Sequence, residues 1–269
     1  MNHRILVLLS IAFAIPLAGQ NVGLRLTNGI DSYVDVPYQP TLVPRSGITV
    51  EAWVTYDDST IGPGWRWPTI VRQDSTPQAV SYMLRVEAAM TNSTVLGWWV
   101  RTPAGTRTLT WPFAAGQLAA WTHLAATYDG ANLRLFVNGQ QVGNSVSHSG
   151  AIADTGNTLR IGNGDLSAPG IEAWNGEIDE VRLWPFARTS AEILSTMNLD
   201  LGGVPGEVST WNLNGALQDS SGSNHGQPVN APTLQANSLN LASVPVIGAA
   251  NFGTSTAGCL GAPRSVVTT

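Results

Sequence analysis

Apolar and polar residues alternate with period two along most of the chain. From 48 to 56, Ile48, Val50, Ala52, Val54 and Tyr56 fall on one face, and Thr49, Glu51, Trp53 and Thr55 on the other. That alternation marks a strand with one side in a core. The same rhythm predicts strands at 22–27, 33–36, 69–73, 81–87, 95–101, 106–111, 123–128, 133–137, 158–161, 176–184 and 208–213. Helical periodicity is almost absent. The exception is Thr189-Ser190-Ala191-Glu192, a capping box in which the first and fourth residues satisfy each other's backbone donors. It predicts one short helix over about 189–197.

Turn chemistry separates the strands. Asp129-Gly130 and Asn138-Gly139 tolerate positive φ and are strong hairpin signals. They bracket the strand at 133–137, giving three antiparallel strands in a row. Many short strands with turns between them indicate a sandwich or barrel. No βαβ alternation occurs, so the fold class is all-β.

Charged residues make up 12% of the chain, about half the usual share. Gly, Pro, Ser, Thr and Asn take their place, as short strands and many turns require. Lysine is absent, the 13 basic residues are all Arg, and the net charge is -5. Without a basic run there is no electrostatic footprint for nucleic acid, and none for an anionic membrane surface.

Three segments are expected. His3 and Arg4 precede the apolar run from Ile5 to Ile15, then Pro16 and the small residues Ala18 and Gly19. That is the order of a secretory signal peptide, and the run is too short for a spanning helix. Residues 1–20 are therefore expected to direct secretion, with no membrane insertion afterwards. Residues 21–226 form the sandwich. Residues 227–269 are poor in periodicity and are expected to be a linker or part of a second module. The single Cys, Cys259, cannot form a disulfide within the chain.

Several stretches together resemble a known family. Trp121 to Gly130, followed by Leu133 to Gly139, is similar to the core signature of laminin-G-like, concanavalin A-like domains. Gly176 to Trp184 with Ala187 to Ile193 resembles that family's closing strand and helix. Leu26 to Pro37 resembles its opening strand pair, and Ile48 to Trp53 its next strand. Asp219 to Gly226, after Trp211 to Asn214, resembles a segment found beside such domains in bacterial surface proteins. The order of the four signatures is more specific than any one of them. The resemblance implies a two-sheet antiparallel jelly-roll β-sandwich, a carbohydrate or extracellular protein ligand, and a structural calcium ion.

Two constellations carry candidate chemistry. Glu177-Ile178-Asp179-Glu180 is superficially similar to the active-site strand of laminarinase-type glycoside hydrolases. Retaining hydrolysis needs two carboxyls about 5–5.5 Å apart. In a regular strand Glu177 and Asp179 share a face with Val181, a bulge would land on Arg182, and the third carboxylate is missing. No catalytic residue is assigned. The expected role of the acids is instead to hold calcium, which takes oxygen ligands. The resemblance selects Asp31 and Asp179, with Asp219 and Asn224 as a further pair.

The ten tryptophans form the second constellation. Trp53, Trp121 and Trp184 are expected to pack. Trp65 and Trp67 flank Arg66 in a Gly- and Pro-rich loop. Trp98 and Trp99 are adjacent, so one must face outward. A flat apolar ring edged by polar groups is what sugar stacking requires. Trp65, Arg66, Trp67 and Trp99 are the candidate ligand-binding residues, and sandwich packing is the competing role. His123 is expected to pack. Three readings stand: a secreted non-catalytic lectin-like or adhesion module, a structural or protein-contact module, and a glycoside hydrolase.

Overall fold

The computed structural model describes residues 21–27, 31–57, 66–74, 80–90, 93–114, 116–164, 171–203 and 206–243. The expected signal peptide, Trp65 and Cys259 lie outside them. Among the described residues no helix is long and apolar enough to cross a membrane.

Two antiparallel sheets enclose one core. The strands in chain order are β1 (Val22–Leu26), β2 (Tyr33–Val36), β3 (Ile48–Tyr56), β4 (Thr69–Gln73), β5 (Tyr82–Met90), β6 (Ser93–Thr102), β7 (Gly105–Pro112), β8 (Thr122–Tyr128) and β9 (Asn132–Val137). They continue with β10 (Gln140–Ser147), β11 (Leu159–Ile161), β12 (Gly176–Trp184), β13 (Leu199–Asp200), β14 (Ser209–Trp211), β15 (Gln227–Val229), β16 (Thr233–Ala236) and β17 (Ala242–Ser243). The first sheet runs β10-β9-β8-β3-β12-β1-β16, with β14 also on β12. The second runs β15-β2-β11-β4-β5-β6-β7. Short β13 and β17 pair in parallel. The expected jelly-roll sandwich is what forms.

The alternating apolar faces meet between the sheets. Val50, Ala52 and Val54 of β3, Leu84 and Val86 of β5, and Leu96 and Trp98 of β6 belong to one buried cluster. Trp98 lies in it and donates its indole N–H to the Thr127 carbonyl at 3.0 Å. Its neighbour Trp99 therefore points away from the core. The helix α1 (Ser190–Thr196) starts at Thr189 with the expected capping box. It covers the outside of the first sheet, where Ile193 packs on Ala125 and Phe136.

Two features depart from the sequence reading. The segment from 227 to 243 is not a linker. β15 pairs with β2, and β16 pairs with β1, so the last strands extend both sheets past the expected limit at 226. β12 also carries a bulge: Asp179 faces Trp53 and Arg182 faces Glu51, leaving Glu180 and Val181 opposite Ala52. Glu180 adopts φ 50° there, a left-handed conformation usually given to glycine. The extra residue keeps Ile178, Val181 and Leu183 in the core and sets Asp179, Glu180 and Arg182 outside it, beneath α1 and the segment that follows.

Candidate functional site

The outer face of the second sheet gathers an aromatic ring and a ladder of charges. The pairing of β5 with β6 sets Met83 beside Trp99 and Arg85 beside Gly97. On β5 the even residues Leu84 and Val86 face the core, so Arg85 and Glu87 face out with Trp99. The Arg85 guanidinium lies 4.9 Å from the centre of the Trp99 ring and grips Glu87 through two hydrogen bonds of 3.0 Å. The Trp99 indole N–H donates to Glu87 Oε1. A Cβ on Gly97 would collide with the Glu87 carboxyl, so the glycine makes room for this contact.

Behind this group, Arg72 of β4 bonds Asp74 and Glu172, and Glu172 lies 3.6 Å from Arg85. A Cβ on Gly164 would meet the Glu172 carboxyl, a second place where a missing side chain admits a carboxylate. Burial pushes the Asp74 carboxyl up, and Arg72 pulls against that rise. Arg72 Nη2 and Asp74 Oδ2 are buried without a hydrogen-bond partner among the described residues. One donor and one acceptor are thus unused in the ladder.

Arg66 and Trp67 join the same end of the face. The Trp67 N–H donates to the Ile171 carbonyl at 2.9 Å, and the Val86 N–H to the Pro68 carbonyl at 2.8 Å. Those bonds set 66–68 beside Glu87. Both Trp67 and Trp99 are half-buried. Of the four residues expected to bind ligand, the register places the Trp99 ring on the outer face, the 66–68 backbone runs along the end of the same sheet, and Trp65 lies outside the described residues. Arg72, Asp74, Arg85, Glu87 and Glu172 were missed. Their signal was charges at two-residue spacing inside otherwise apolar strands, Arg72-Gln73-Asp74 and Arg85-Val86-Glu87.

The two acids expected to hold calcium serve separate networks. Asp31 lies 3.4 Å from the Asn163 amide, and its carbonyl accepts from Asn230. Asp179 accepts the Asn21 and Asn237 amides at 2.7 and 3.0 Å on one oxygen and the Glu180 N–H at 2.8 Å on the other. Those groups are donors where a calcium ion needs oxygen, so Asp179 does not fit as its ligand. Asp219 is filled likewise, by Thr210 N–H, the Ser221 N–H and hydroxyl, and Asn224 N–H. It organises the 219–225 turn. Among the described residues, no three His, Cys, Asp or Glu gather in a way that could hold a metal.

The hydrolase-like acids are closed off. Asp179 and Glu180 are 0% and 1% exposed. Burial pushes the Asp179 carboxyl up to about 7, and pushes Glu180 up while Arg182, 2.7 Å away, pulls it back. His123 is also buried, 3.2 Å from Glu51, and packs as expected.

A family model described as the concanavalin A-like lectin/glucanases superfamily matches residues 28–194. Pappalysin-1 of Mus musculus is 38% identical over 81 residues, 29% of this chain and 5% of that protein. The Homo sapiens protein is 40% identical over the same share. The chain thus spans about 5% of the length of these relatives. Among solved structures, a candidate carbohydrate-binding protein from Bacteroides ovatus superposes with a TM-score of 0.61 at 19% identity, over 83% of this chain and 62% of that one. A heptameric SAP-like pentraxin from Limulus polyphemus gives 0.59 at 14% identity, over 83% and 99%. At such identities the likeness concerns the fold. The family match runs from just before β2 into α1 and takes in most strands of both sheets, and on it the chain belongs to the concanavalin A-like lectin/glucanase superfamily.

Proposed function

We propose that this protein is a secreted, non-catalytic carbohydrate-binding module, and that it holds sugar on the outer face of the second sheet. The observation that carries this reading is Trp99. Its indole projects from β6 away from the core, with Arg85 against the ring and Glu87 at its N–H. A pyranose ring stacks on such a surface while its hydroxyls bond the polar edge. The buried Arg72 and Asp74 pair holds Glu172 and, through it, Arg85 in place behind the ring.

The non-catalytic part rests on burial. The acids most similar to a hydrolase strand are committed to Asn21, Asn237 and Arg182 and offer no carboxyl pair to a substrate. Secretion rests on the basic, then apolar, then small-residue order of 1–20.

A glycan array probed with the full chain and with Trp99→Ala tests the proposal. Binding to a defined set of sugars that the substitution abolishes is expected. Binding that survives unchanged would place the site elsewhere. A blank array would favour protein contacts instead.

A further inference from the structure

A second recess lies away from Trp99, between the turn joining β6 to β7 and the end of β10. It encloses about 410 Å³ and is lined by Ala104, Thr106, Arg107, Ser147, His148 and Ser149, with Ala131 at its margin. That volume falls within the range of small-ligand sites.

The walls are fixed by backbone bonds. His148 N–H donates to the Ala131 carbonyl at 2.8 Å, and Gly150 N–H to the Gly130 carbonyl at 3.2 Å. The Tyr128 hydroxyl donates to the Gly150 carbonyl at 2.6 Å. His148 then bridges to the opposite wall. Its Nε2 lies 3.0 Å from Thr102 Oγ1, and that oxygen already accepts the Ala104 N–H at 3.2 Å. The threonine hydroxyl is therefore free to donate its proton to Nε2. Burial pushes the His148 imidazole's pKa down, a bond to the Gly105 backbone pulls against that, and the Arg107 charge adds to the fall. His148 is a strut and not the group that meets a ligand.

Arg107 is that group. It is exposed, and its side chain forms no hydrogen bond or ion pair among the described residues. Five of the 13 arginines are committed to carboxylates: Arg72, Arg85, Arg134, Arg182 and Arg188 all bond acids within 3 Å. No acid lines the recess. Asp129, in the β8–β9 turn two residues before Ala131, is occupied by Arg134 and the Ala131 and Asn132 N–H groups. Around Arg107 stand the hydroxyls of Thr106, Ser147 and Ser149. Apart from the His148 imidazole, whose Nε2 is tied to Thr102, no aromatic ring lines the recess.

One planar donor fork among hydroxyls suits a ligand with one carboxylate among hydroxyls. A guanidinium takes a carboxylate through two parallel bonds, and serine and threonine both donate to and accept from sugar hydroxyls. We propose that this recess is a second binding site, specific for the carboxylate-bearing unit of an acidic saccharide, a hexuronic acid, with Arg107 as its anion-binding residue. The proposal is independent of the Trp99 face.

The test is titration of the full chain with D-glucuronate, D-glucose and sodium acetate, followed by NMR or calorimetry. Glucuronate is expected to bind more tightly than either of the others. Arg107→Ala should weaken it about tenfold or more, the ordinary loss for a charge-assisted contact. Arg107→Lys should restore only part. Arg107 is exposed, so its variants should melt with the parent. Equal binding of glucose and glucuronate would overturn the proposal, as would an unaffected Arg107→Ala variant. Acetate binding as tightly as glucuronate would reduce the recess to an anion site and overturn the saccharide assignment.

Discussion

Asn237 donates its side-chain amide to the Asp179 carboxylate at 3.0 Å, tying the end of β16 to the bulge in β12. Asn21, just before β1, reaches the same oxygen at 2.7 Å. One buried carboxyl thus clasps the first and last strands of a sheet. Burial raises it from an ordinary 3.8 to about 7. A raised carboxyl favours the folded state while it is protonated. Its contribution is fully present below about pH 4 and is lost as pH climbs through about 7. Melting curves from pH 4 to 8 should show this decline, on the order of a few kcal/mol. Glu180, pushed up to about 8 by burial, adds to the same decline, so Asp179→Asn should make the slope shallower without abolishing it and, by putting amide hydrogens where an acceptor is needed, cost about 1–3 kcal/mol. An unchanged slope in that variant would remove Asp179 as its source.

The last strands are structural. A chain ending at 226 lacks β15 and β16 and leaves β2 and β1 as open edges. Unpaired edges invite association. Such a chain should melt well below one ending at 243 and should aggregate on gel filtration. Equal stability of the two would return 227–243 to the status of a linker.

Arg188 anchors α1 to the first sheet. It bonds Glu51, the Glu192 carbonyl and Thr196, and its guanidinium lies 4.1 Å from the Trp184 ring. Burial alone would push the Glu51 carboxyl up, but the His123 hydrogen bond and the His123, Arg188 and Arg182 charges bring it down to about 2. Removing Arg188 strips that buried carboxylate of a partner. Arg188→Ala should cost about 3–5 kcal/mol in denaturant unfolding. Arg188→Lys should recover little, because a point charge cannot reproduce the fork or the ring contact. A cost under about 1 kcal/mol would show the network to be dispensable.

The core strands were legible because burial on one side leaves an alternating pattern, as in β3. The strand β10 was announced only by the Asn138-Gly139 turn before it and its extent was not, because Gln140–Ser147 is exposed along most of its length and has no apolar face to reveal it. β15 and β16 were hidden for the same reason, being polar edge strands. The bulge at Glu180 lacked the glycine that normally announces a left-handed residue. In the candidate site, the adjacency of Trp98 and Trp99 forced one ring outward, so Trp99 could be named. Its partners Arg85 and Glu87 depend on the register of β5 against β6 and on the gap left by Gly97, which no local pattern encodes. At Asp179 the resemblance named the acid but not the Asn21 and Asn237 amides around it, which come from far along the chain.

The most direct test of a sugar site on this face is the indole N–H resonance of Trp99. It would be assigned by its loss in Trp99→Ala and followed by NMR while a glycan bound on the array is titrated. A saturable shift of that resonance, with the buried indoles of Trp174 and Trp211 unmoved, is the expected result. Binding that leaves the Trp99 resonance in place would contradict a carbohydrate site on the second sheet.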